Sequence, residues 1–198
     1  FLKKENPPRT PAPAPTTTAT CHNVWNNPPE AIRHYQEANA IYESLGEPLN
    51  VITNLNNIGV LLTRNRNYEQ AERYLKDALE RAQKANFTPG LADANINLGV
   101  LEESRRGYGK AIAYFQNAAT HYQQLGQINH LANTHSNIGW GYNLLGDYDR
   151  ALAELRVAQN LLDTLDLPRE KVNLAANLSA VHNNRGDHRL ARQIATDA

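Results

Sequence analysis

Four asparagines stand 40 residues apart, at Asn57, Asn97, Asn137 and Asn177, and each opens a near-copy of one phrase. The copies read Asn57-Ile58-Gly59-Val60, Asn97-Leu98-Gly99-Val100, Asn137-Ile138-Gly139-Trp140 and Asn177-Leu178-Ser179-Ala180. An amide donates and accepts hydrogen bonds at once, so it grips an extended peptide backbone without reading side-chain identity. An array that repeats in space repeats its surface, and four amides at one position form a row on one wall. That is the chemistry of recognition before it is the chemistry of bond-breaking.

Residue sets that would support catalysis or metal binding are not spaced for it. The seven histidines are scattered; His130 and His135 are five apart and His182 and His188 six apart. Neither spacing sets two ligands on one helix face, as an i, i+4 pair would. The acid pairs Glu102-Glu103 and Glu69/Glu72 read as exposed helix faces. No Gly-rich phosphate loop, nucleophile elbow or Cys/His pairing occurs. The expectation is a non-enzymatic chain with no cofactor and no metal.

Composition narrows the partners. Twenty Lys+Arg balance twenty Asp+Glu, which leaves no excess charge to drive nucleic-acid binding or to hold an anionic membrane. Apolar residues make up 41% of the 198, enough for a sizeable core. No apolar run approaches the roughly 20 residues of a membrane helix. The single cysteine, Cys21, lies outside the repeats and reads as an incidental thiol. Phe1-Leu2-Lys3-Lys4 has neither Met nor a signal-peptide pattern, so the chain reads as a fragment, with the cytoplasm as its expected compartment.

Two regions differ in texture. Residues 1–27 place Pro7, Pro8, Pro11, Pro13 and Pro15 among small polar residues, which favours an extended tail or linker. From Pro28 onward, amphipathic segments break at regular places. In the first complete unit, Leu49 to Arg64 carries apolar residues three or four apart (Val51, Ile52, Leu55, Ile58, Leu61, Leu62). Asn65-Arg66-Asn67 offers a turn, and Tyr68 to Ala85 resumes the pattern through Ala71, Tyr74, Leu75, Ala78, Leu79 and Ala82. No segment alternates as a half-buried strand does, so an all-α chain of stacked helix hairpins is expected. The units are a half repeat at 28–46, repeats at 47–86, 87–126 and 127–166, and a truncated repeat at 167–198. Gly59, Gly99 and Gly139 are expected where paired helices approach closely, with Tyr68, Tyr108 and Tyr148 as core filler.

These positions resemble the tetratricopeptide repeat. The unit Asn137-Ile138-Gly139, Gly146-Asp147-Tyr148, Ala151, Leu155 and Ala158 is a nearly complete match. The units led by Asn57 and Asn97 keep the same offsets, and the one led by Asn177 is in register but degenerate, with Ala195 where the others carry a large residue. The 40-residue period exceeds the common 34. It is similar to the repeats of kinesin light chains, LGN-type scaffolds and bacterial Rap-type regulators. The resemblance implies a right-handed α-solenoid whose concave groove, lined by the first helix of each hairpin, holds a peptide or partner segment.

Family offsets turn Asn57, Asn97, Asn137 and Asn177 toward that groove, together with Arg64, Asn133 and Trp140, and Asn143 shares the wall beside Leu144. The alternative for the asparagines is a bond within their own repeat. For Trp140, which replaces Val60, Val100 and Ala180, the alternatives are a binding anchor and packing filler. A clamp for a terminal carboxylate, known in chaperone-binding relatives, would need lysines where this chain has Thr53, Asn56 and Asp93. Both ends look unfinished: the half repeat lacks a first helix unless Val24 and Trp25 anchor one, and Ala198 interrupts the last helix. The reading is therefore a protein-interaction module within a longer protein, with no nucleic acid or membrane insertion. The runner-up is a spacer that self-associates through the C-terminal repeat.

Overall fold

The computed structural model describes residues 27–197, so the expected tail, Cys21 and the anchors Val24 and Trp25 lie outside the described residues. Nine helices and no strand occur among the described residues. They are α1 Pro28–Leu45, α2 Pro48–Arg64, α3 Tyr68–Lys84, α4 Thr88–Ser104 and α5 Tyr108–Gln124, then α6 Ile128–Leu144, α7 Tyr148–Asp163, α8 Pro168–Arg185 and α9 His188–Asp197. The limits expected for the two helices of the first complete unit, α2 and α3, are met to within a residue. Prolines occupy the first turn of α1, α2, α4 and α8, where a missing N–H breaks no helical bond.

Helix ends share one closing device. Gly46, Arg66, Asn86, Arg106, Gly126, Gly146 and Gly186 all have positive φ, from 50° to 100°. After each, the next N–H reaches back five residues to a helix carbonyl, as in Glu47 to Tyr42 at 2.9 Å and Asp147 to Tyr142 at 2.9 Å. The device is missing once. Between α7 and α8 no residue has positive φ, and the last α7 closure is Leu165 N–H to Leu162 O at 3.0 Å.

Hairpins close on glycine. A Cβ at Gly59 would collide with the Leu75 side chain, at Gly99 with the Phe115 ring, and at Gly139 with Leu155 at 2.8 Å and the Ala151 carbonyl at 3.0 Å. The fourth hairpin reverses the sizes. Ser179 stands at the glycine position and donates its hydroxyl to the Ala191 carbonyl at 2.8 Å, while Ala195 replaces the large residue. The weak packing expected of α9 is thus matched by a larger residue on α8, although only Ala191 of α9 is buried. The large core position is the one held by Tyr35, Leu75, Phe115 and Leu155, each at most 2% exposed. Tyr68, Tyr108 and Tyr148, expected in the core, are only half-buried. Each opens its helix, where the turn leaves one side of the ring uncovered, and over Tyr68 the Arg105 guanidinium sits 5.9 Å from the ring centre.

Units join through core clusters shared between neighbours. One cluster combines Ala31 and Tyr35 of α1, Ile58, Leu61 and Leu62 of α2, Ala71 and Leu75 of α3, and Leu98 and Leu101 of α4. First helices touch directly (α2 with α4, α6 with α8), whereas second helices meet mainly through the first helix between them. The first helices therefore form the inner wall of a curved array.

Charge reinforces one seam. The Glu72 carboxylate of α3 accepts from Lys76 at 2.6 Å and from Arg105, beyond α4, at 2.6 Å. Those two partners hold it down to about 2, against an ordinary 4.5. Arg105 also reaches Glu102 at 3.4 Å, and Glu102 is only 8% exposed. Glu69 is exposed as the sequence suggested, but Glu72 and Glu102 are not plain exposed acids, because Arg105 engages both and reaches Glu72 across the repeat boundary.

Three outcomes are expected. Gly99→Ala destabilises by about 1–3 kcal/mol in urea unfolding despite its better helix propensity, since the Phe115 ring must move. In a double-mutant cycle, Gly99→Ser with Phe115→Ala costs less than the sum of the single changes, as the Ser179 and Ala195 pair implies. Glu72→Gln lowers stability at neutral pH by on the order of 1 kcal/mol. Because the folded pKa lies below the unfolded one, the ion-pair contribution is complete above about pH 4.5 and disappears as pH falls toward about 2. Wild type and variant should converge over that window, and a constant difference would refute the assignment.

Candidate functional site

The geometry of the hairpin decides which side chains face inward. Successive helix residues are about 100° apart, so Asn57, Asn97 and Asn137, each two residues before its glycine, point about 200° away from the hairpin contact. That direction is the inner wall. Trp140 lies three residues after its asparagine, Asn133 four before and Arg64 seven after, all within about 60° of the same stripe. Asn57, Asn97, Asn137 and Asn177 are half-buried there, Trp140 is half-buried, and Asn133 and Arg64 are exposed.

The amides differ in what they already hold. Asn97 donates to Asn56 Oδ1 across the seam at 3.5 Å, a long bond. No side-chain hydrogen bond joins Asn57, Asn133, Asn137 or Asn177 to another described residue. Buried asparagines elsewhere are engaged: Asn54 donates to Asn39 at 2.9 Å, and Asn95 to the Leu91 carbonyl at 2.8 Å. Adjacent helices pack about 8–10 Å apart, which is roughly three residues of extended chain. A row of amides at that spacing meets a peptide backbone at intervals and leaves the side chains between free.

Asn143 sits elsewhere. Six residues after Asn137 it is rotated about 120° off the stripe into the seam with α8, and it is 4% exposed. Its Oδ1 accepts from Asn184 at 3.1 Å, while its Nδ2 is buried with no partner. The structure thus brings it behind the wall, positioning Asn184, rather than onto it.

The same rotation places Glu103, which the sequence reading took for part of an exposed face. It is half-buried, and the Trp140 indole of α6 acts on its carboxylate. Burial pushes that carboxyl up from its usual range, and the indole draws it partly back. The signal was available from comparing repeats, since Thr63, Glu103, Asn143 and Asn183 share one position and only one of them is charged. Asp93, also on α4, is pushed up by burial and accepts from the Tyr122 hydroxyl at 3.0 Å. The Tyr122 ring stacks on His130 with centroids 5.0 Å apart. Apolar surface completes the wall at Val100, 42% exposed, and Leu144, 36% exposed.

Other cavities are not on this stripe. The largest described, about 630 Å³, lies between α7, α8 and α9 over Leu152, Leu162, Leu174 and Leu178. Among the described residues no group of three or more His, Cys, Asp or Glu is placed to hold a metal ion, and no helix is long and apolar enough to cross a membrane.

The sequence model of the tetratricopeptide repeat matches residues 20–84 and 90–164. The chain belongs to the tetratricopeptide repeat family. Comparison with curated protein sequences gives no match. Among solved structures, this tetratricopeptide array is similar to BtubC (BKLC) from P. vanneervenii, with 27% identity, a TM-score of 0.68, and coverage of 76% of this chain and 62% of that one. It also matches a Rap protein complexed with Competence and Sporulation Factor at 17% identity and a TM-score of 0.75, covering 91% of this chain and 50% of that one. A kinesin light chain from Podosopora anserina, described as putative and as having nearly identical TPR-like repeats, matches at 11% identity and a TM-score of 0.74, covering 91% and 89%. The latter two likenesses concern the fold alone. The array spans 62% of the P. vanneervenii protein and half of the Rap protein.

Proposed function

We propose that this array is a protein-interaction module whose inner wall holds an extended peptide or a segment of a partner protein. The observation that carries the reading is the row of half-buried asparagines, of which the Asn57 and Asn137 side-chain amides bond to no other described residue and that of Asn97 is held only by a 3.5 Å bond. Side-chain amides not engaged within the fold can both donate to and accept from an incoming peptide backbone. Trp140 gives the wall its large apolar anchor. Asn133 and Arg64 flank the row, Asn177 extends it, and Asn143 supports it from behind through Asn184. A Rap protein of the same fold is a complex with Competence and Sporulation Factor, which agrees with ligand capture on this architecture.

A second reading, self-association through the C-terminal repeat, is favoured by one observation. Val172 is 48% exposed, whereas Ile52, Ala92 and Ala132 at its repeat position are fully buried by the following unit. The apolar cavity beside it, between α7, α8 and α9, would take a second copy of that end.

Two measurements separate these. Affinity capture with wild type beside Asn97→Ala plus Asn137→Ala, read by mass spectrometry, is expected to show a partner recovered by wild type and lost by at least about tenfold in the variant. Equal recovery would sink the groove reading. Sedimentation of wild type and Val172→Glu over a concentration series tests the second reading. A monomer at every concentration in both proteins removes it, and a dimer abolished by Val172→Glu establishes it.

A further inference from the structure

The inner wall is polar along most of its length, but its apolar residues gather at one place. Of the large apolar side chains left exposed among the described residues, Val100 at 42% and Leu144 at 36% lie on the inner stripe. Half-buried Trp140 joins them. It is the repeat counterpart of Val100 on the neighbouring first helix, and Leu144 follows it by one turn on the same face of α6. Leu144 also stands seven residues after Asn137, within about 20° of its direction. Together they make an apolar patch beside Asn97 and Asn137.

The stack does not require this patch. The position of Leu144 is Arg64, Ser104 and Asn184 in the other units, and that of Trp140 is Val60, Val100 and Ala180. Polar residues at three counterparts show that the leucine serves no packing role common to the units. Both departures enlarge apolar surface facing the groove, and both fall on one turn of one helix, where exposed apolar area marks a contact. The other exposed apolar residues have different settings: Val172 belongs to the open face of the last unit, and Ile41, Leu45 and Leu49 surround the turn between α1 and α2. From Asn97 to Val100, and from Asn137 to Trp140, the helix rises about 4.5 Å. A backbone held by the two asparagines therefore passes the patch at about the reach of one side chain.

Resting on the peptide-wall reading above, we infer that Val100, Trp140 and Leu144 form a seat for one large apolar side chain of the captured segment. The asparagines hold main chain whatever its sequence, and the seat reads one residue. An aromatic ring suits it best, since the indole offers a face or an edge to a second ring beyond the area that either buries. A leucine gains the area alone.

The test selects binders from a random heptapeptide display library on the wild-type array. The best binder and a copy with alanine at its most enriched position then carry fluorescein, and anisotropy gives their affinities. The expected result is enrichment of Phe, Tyr, Trp or Leu at one peptide position, and a loss of about tenfold in affinity with alanine. Trp140→Val with Leu144→Ser installs the residues that the second repeat carries at Val100 and Ser104, so α6 keeps a packing the chain already uses. With helicity unchanged by circular dichroism, that variant should bind both peptides within about twofold of each other. Leu144→Ser alone, a change at an exposed site, should cut the preference to about threefold, and it decides the matter if the double variant loses helicity. Asn97→Ala plus Asn137→Ala should weaken both peptides alike. Selected peptides without apolar enrichment, or a full preference that survives these changes to α6, would overturn the seat and leave the peptide wall standing. A library that yields no binder at all overturns both.

Discussion

The structure depends on a contact between nothing and something: a glycine on the first helix and a large side chain on the second. Where Gly59, Gly99 and Gly139 meet Leu75, Phe115 and Leu155, the absence of a Cβ lets the two helices lie close enough to share one core. That closeness fixes helix rotation. With the glycine turned outward, the asparagine two residues earlier faces inward, and everything else on the stripe follows at about 100° per residue. Packing, not hydrogen bonding, therefore sets the orientation of the polar wall. The polar residues are passengers on helices aimed by apolar contacts.

Most of this was legible before any coordinates. The 40-residue period, the turn residues and the apolar spacing gave the limits of α2 and α3 to within a residue, because each local signal agreed with the repeat. What the sequence obscured was rotation at finer grain. Asn143 stood beside Leu144 in the chain and was read with the wall, yet one residue of helix is about 100°, and it turns into the seam. Glu102, Glu103 and Glu72 were read as solvated acids for the opposite reason. Their local spacing gave no sign that Arg105, three residues from Glu102 in the same unit, would also cross a repeat boundary to Glu72. Contacts between units join residues about 30 to 40 positions apart, and no local pattern announces them. Tyr68, Tyr108 and Tyr148 were misjudged because a helix-opening residue has a turn on one side and little to bury against.

A repeat array resolves two demands that compete in a compact domain. Packing wants every unit alike, so that each covers the next; recognition wants units that differ. Here the outer and hairpin-facing positions hold to the pattern, while variation gathers on the inner stripe and its flanks, as at Val60, Val100, Trp140 and Ala180. The fourth hairpin shows that even the packing rule is a rule about sums. Ser179 with Ala195 keeps the hairpin closed by trading volume from one helix to the other, and adds a hydrogen bond that glycine could not make.

One junction stands apart from this regularity. Seven helix ends are locked by a left-handed residue and a five-residue back-bond, but the end of α7 is not. The turn between α7 and α8 is thus held differently from the others, and the Asn184 to Asn143 bond spans it on the inner side, so that a segment laid along the wall past Asn137 would lie across the one joint that breaks the repeat.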